Sequence, residues 1–92
     1  MTNNDNSAIL STREIAARGI AIYEEKWEEE LLKTSVGKFV AINVRSGDAD
    51  VADTSEEAIR SAEKKDPNGY FHLIRIGHKA AFAAGWYMSH AS

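Results

Sequence analysis

The chain has 92 residues, room for one hydrophobic core and not for a second domain, and its 43% apolar and 27% charged residues give a globular rather than a disordered composition. It contains no cysteine, which excludes a disulfide framework and a thiolate metal site. The net charge of -3 is unevenly spread: residues 1–66 hold all 14 acids against 9 Lys and Arg, and the last 26 residues hold only Arg75 and Lys79, so the broad basic stripe that a phosphate backbone requires is missing and nucleic acid is not an expected partner.

Residues 1–10 are polar and aperiodic, with neither a basic leader nor an apolar run, and no stretch of the chain approaches the ~18 apolar residues of a membrane span. A disordered N-terminus, a single α+β domain over 11–92 and a cytoplasmic protein are the resulting expectations. Ser11 with Glu14 three residues on forms a capping-box pattern that opens a helix. Ala16, Ile20, Tyr23, Trp27 and Leu31 follow at spacings of four and three, one stripe of a helix that should run to Lys33 or Thr34, with Gly37 as its stop.

Lys38–Val44 alternates, with Val40, Ile42 and Val44 on one face and Phe39, Ala41 and Asn43 on the other, the pattern of a half-buried strand. Arg45-Ser46-Gly47-Asp48 is a turn, and Ala49–Ala52 can return as a short strand whose acids suggest an exposed edge. Asp53-Thr54-Ser55-Glu56-Glu57 offers helix caps, Ala58, Ile59 and Ala62 share one face of the second helix, and Asp66-Pro67-Asn68-Gly69 ends it. Tyr70–Ile76 is a third strand, apolar on both faces and therefore covered on both sides. The order α, β, β, α, β predicts a mainly antiparallel three-stranded sheet in order 2-1-3, followed by an aromatic tail.

Several phrases carry a resemblance together: Arg18-Gly19 with Ile22-Tyr23-Glu24-Glu25, Gly37-Lys38-Phe39-Val40-Ala41-Ile42, Ser46-Gly47-Asp48, Glu57-Ala58, Asp66-Pro67 and Arg75-Ile76-Gly77. In order and spacing, over roughly residues 14–85, they resemble a family of short uncharacterised bacterial proteins associated loosely with toxin–antitoxin-like loci. The resemblance implies the same order of elements and an antitoxin-like role, and it attaches no catalytic residues. Asn43 stands where the pattern has an Asp, so no role for that carboxylate carries over.

Candidate sites are few. His72 and His78 invite a metal, but one lies mid-strand, the other lies past Gly77, and no Cys or acid follows Asp66, so a satisfied or solvent-facing histidine is expected and no metal or cofactor. Asp48, Asp50 and Asp53 do not form a calcium loop, because Asp53 and Ile59 occupy the positions that need Gly and Glu. Ser46 and Ser61 lack a nucleophile elbow, and Gly77 and Gly85 are too sparse for a phosphate loop. The Glu24–Glu30 block reads as a solvated helix face.

The uncharged run Ala80–Met88 stands apart, with three aromatics placed after the elements that form the core. Phe82, Trp86, Tyr87 and Met88, flanked by Arg75 and Lys79, are the expected contact surface, with the two cations set against the acidic first helix of another copy. The sequence thus reads as a non-enzymatic interaction module, antitoxin-like or an adaptor, docking to a protein partner or to itself as a homo-oligomer. The alternatives are a small enzyme with a site around His72, Arg75 and His78 at an oligomer interface, and an accessory subunit of a larger complex.

Overall fold

The computed structural model describes residues 10–78 and the backbone of Trp86–Met88. The expected disorder of the N-terminus concerns residues that, apart from Leu10, lie outside the described ones. Ser11 caps helix α1 (Thr12–Ile22): its Oγ accepts from the Glu14 N–H at 3.1 Å, and the Glu14 carboxylate accepts from the Ser11 N–H at 3.0 Å. Leu10, just before the cap, packs into the cluster of Ile15, Val44 and Tyr70. That contact is a hydrophobic staple between the residue before the cap and Ile15.

The helix continues through a π-helical turn (Tyr23–Trp27) into α2 (Glu28–Thr34), so one helical rod covers the whole predicted span. Its buried residues are Ile15, Gly19, Tyr23 and Leu31, while Ala16 and Ile20 at the start of the predicted stripe are only half-buried. The difference follows from spacing. Residues four apart overshoot a 3.6-residue turn by about 40° at every step, so a stripe at 15, 19, 23, 27 and 31 would wind off the sheet. The wider i→i+5 turn at Tyr23–Trp27 takes that drift back.

The sheet consists of β1 (Phe39–Asn43), β2 (Ala49–Ala52), β3 (Tyr70–Arg75) and β4 (Trp86–Met88), in the order β2-β1-β3-β4 with every neighbour antiparallel. The predicted order 2-1-3 stands, and the tail extends it by a fourth strand. Helix α3 (Ser55–Lys65) makes the crossover between β2 and β3, capped by the Thr54 side chain on the Glu57 N–H.

Register assigns the two faces. Val40, Ile42 and Ile74 pack with Tyr23 and Leu31 beneath the long helix, while Ala41, Phe71 and Leu73 pack with Ala58, Ile59 and Ala62 of α3. Strand β3 is therefore covered on both sides, as its two apolar faces require.

Candidate functional site

The hairpin turn after β1 is built by Asn43. Its backbone N–H donates to the Asp48 carbonyl at 2.9 Å, and its carbonyl accepts from the Gly47 N–H at 2.7 Å. Its side-chain oxygen takes the N–H groups of Arg45 (2.8 Å) and Ser46 (3.3 Å), an Asx turn. The amide nitrogen then donates to the Asp66 carboxylate at 2.9 Å, tying the turn to the end of α3. An Asp at this position would set two carboxylates against each other, which gives the Asn a physical reason. From the other side, Trp27 Nε1 donates to the Gly47 carbonyl at 3.0 Å, so the π-helical turn holds the same hairpin.

Between this turn and α3 lies a cleft of about 190 Å³ lined by Asn43, Ser46, Asp48, Asp50, Lys65 and Asp66. Asp50 corrects the expectation of an edge strand with exposed acids: Asp48 and Asp53 are exposed, but Asp50 is buried. Its Oδ1 accepts from the Lys65 ammonium at 2.9 Å and from the Ser61 hydroxyl at 3.3 Å. That hydrogen bond and the charge of Asp50 raise the Lys65 pKa above its ordinary value of 10.5.

His72 is the opposite case. It lies on the helix side of β3 and is completely buried, and among the described residues neither ring nitrogen has a hydrogen-bond partner. It is neither satisfied nor solvent-facing, contrary to expectation. The cover is Gly19 of α1, placed so close that a Cβ there would stand 2.3 Å from His72 Cβ and 2.8 Å from Cγ. In the sheet, Ile42 of β1 and Trp86 of β4 are its cross-strand neighbours. Burial alone lowers its pKa from the ordinary 6.5.

Of the expected contact residues, Trp86, Tyr87 and Met88 form the edge strand β4, opposite His72, Phe71 and Tyr70 respectively. Phe82 and Lys79 lie outside the described residues. Arg75 ends β3 on the α3 side of the sheet, its guanidinium 5.4 Å from the Phe39 ring. The trio of the enzyme alternative does not converge: His72 is sealed under the long helix, Arg75 is exposed on the other face, and His78 is exposed beyond Gly77.

Among the described residues no group of three or more His, Asp or Glu side chains is placed to hold a metal ion, and no helix is long and apolar enough to cross a membrane. The burial of His72 had a sequence signal in Tyr70, Ile74 and Ile76 on its own face of the strand. The Asn43–Asp66 and Asp50–Lys65 contacts had none, because they join residues 23 and 15 positions apart across a crossover. No protein-family model, curated protein or solved structure matches this chain.

Proposed function

We propose that the chain is a protein-interaction module of the antitoxin or adaptor kind, working in the cytoplasm, and that it pairs with a second copy of itself along β4. The observation that carries this reading is the contrast between the two edges of the sheet. An edge strand presents a row of unpaired backbone groups that another strand can extend, and proteins commonly guard such edges with charge. The β2 edge is guarded: Asp48 and Asp53 flank it, and Lys38 holds Asp53 at 3.4 Å. Two copies meeting there would bring like charges together.

The β4 edge is Trp-Tyr-Met, with no charge, and it is the last strand of the sheet among the described residues. An antiparallel two-fold pairing centred on Tyr87 sets Trp86 of one copy against Met88 of the other without electrostatic conflict. A core in a 92-residue chain is small enough to gain from such a joint.

Sedimentation velocity on the full chain over a concentration series tests the reading. The wild type should form a dimer whose affinity changes little with salt. Trp86→Ala should weaken it by ~2 kcal/mol, and Tyr87→Lys should leave a monomer with an unchanged far-ultraviolet circular dichroism spectrum. A wild type that stays monomeric at high concentration overturns self-pairing.

A further inference from the structure

Below neutral pH, we propose, His72 acts as a proton-operated latch that releases strand β4 from β3. The inference concerns regulation of the β4 edge and rests on the interaction reading only in its second arm. The geometry is that of a titratable ring with nowhere to place a proton. Both nitrogens are buried and unpartnered among the described residues, and the backbone of α1 at Gly19 sits directly on the side chain. A charged imidazolium in that position would have no counter-ion among the described residues and no water at a fully buried ring, so it forms when the cover opens.

The groups around it offer no relief. From the helical rod the buried residues are Ile15, Gly19, Tyr23 and Leu31, from β1 the cross-strand neighbour is Ile42, and along β3 the residues on the same face are Tyr70 and Ile74. The titratable side chains among them are phenols, which carry no charge near neutral pH. On α1 itself Arg13, Glu14 and Arg18 are exposed to solvent.

Of the two elements that adjoin His72, α1 above the ring and β4 beside it in the sheet, β4 is the lighter. The helical rod is anchored along its length by Ile15, Tyr23 and Leu31 in two core clusters, whereas β4 is joined to β3 by three residue pairs, one of them His72 with Trp86. Loss of β4 turns β3 into an edge strand and opens the imidazole to water from the side, while the rod keeps its contacts.

The sign follows from linkage. Above pH 6.5 neither the closed nor the open form binds the proton and the latch is silent. As pH falls below 6.5 the open form takes up a proton that the closed form refuses, and the closed-to-open ratio drops about tenfold per pH unit until the folded pKa is reached.

The experiment is amide hydrogen exchange of Tyr70–His72 and Trp86–Met88 in the wild type and in His72→Leu, compared at equal pH from 8.0 to 5.0 so that the intrinsic pH dependence of exchange, common to both proteins, cancels. Protection in the wild type should fall relative to the variant by about tenfold per unit below pH 6.5 and stay parallel above it. His72→Gln, polar but not titrating at these pH values, should follow His72→Leu and serves if the leucine packs badly. A ratio that stays flat throughout overturns the latch.

Sedimentation of the wild type at pH 7.5 and 5.5 separates the two ideas. A dimer that dissociates at the lower pH supports both. A monomer at both values removes self-pairing while the exchange data still judge the latch. A dimer unaffected at pH 5.5 overturns release of β4 as the regulator of that edge.

Discussion

The two faces of the sheet treat a buried polar group in opposite ways, Asp50 on one and His72 on the other. On the α3 face, the Asp50 carboxylate is met by both the Lys65 ammonium and the Ser61 hydroxyl, from positions one helical turn apart on α3. On the face under the long helix, His72 has been stripped of water with nothing given in return, and the Gly19 backbone presses on it. A buried polar group that is satisfied holds a structure in one state. One that is not satisfied makes the structure depend on the proton concentration, which is why the second face rather than the first carries the proposed latch.

The sharpest way to break that comparison is Gly19→Ala. The added methyl would meet His72 Cβ at 2.3 Å, and neither backbone can yield without separating the helix from β3. A stability loss of ~3 kcal/mol from overpacking, offset by ~1 kcal/mol of helix propensity, is the expected result in urea denaturation. Because the contact is with Cβ, adding His72→Ala should not restore stability. Recovery in the double variant would mean that the ring, and not the backbone approach, sets the fit.

Next in size is Lys65→Met, which leaves the buried Asp50 carboxylate with Ser61 alone. With the Lys65 side chain 57% exposed and the pair therefore partly screened, the loss should be ~1 kcal/mol at pH 7. The folded pKa of Lys65 is raised, so its contribution is complete below 10.5 and fades as pH rises through the folded value. The gap between wild type and variant should narrow accordingly in melts above that pH, and a gap that persists unchanged would assign the loss to packing of the lysine stem.

The smallest effect is expected at Lys38→Ala. Its bridge to Asp53 is 3.4 Å long between groups 49% and 76% exposed, and removing it should shift stability by less than ~0.5 kcal/mol, with no difference left at high salt. A larger loss would show that this pair braces the β2 edge rather than only guarding it.

Much of the fold is legible in the residues themselves. Ser11 and Glu14 announce the first helix and Thr54 lies among the caps offered for α3. The alternation of Val40, Ile42 and Val44 against Phe39, Ala41 and Asn43 assigns the two sheet faces, and a crossover helix of eleven residues returns β3 to the side of β1.

What the sequence determined by itself is local: period, caps, turn chemistry and the apolar character of β3, each decided by residues within a few positions of one another. Tertiary structure alone decided the rest. The π-helical turn answers a sheet that the helix cannot know about, Asn43 finds Asp66 only when the hairpin meets the end of α3, and the tail becomes a strand only because β3 leaves it an edge. His72 becomes a group without a partner for the same reason. Its isolation is set by the approach of Gly19 from 53 residues away, and a distance of that kind arises from packing, not from any spacing along the chain.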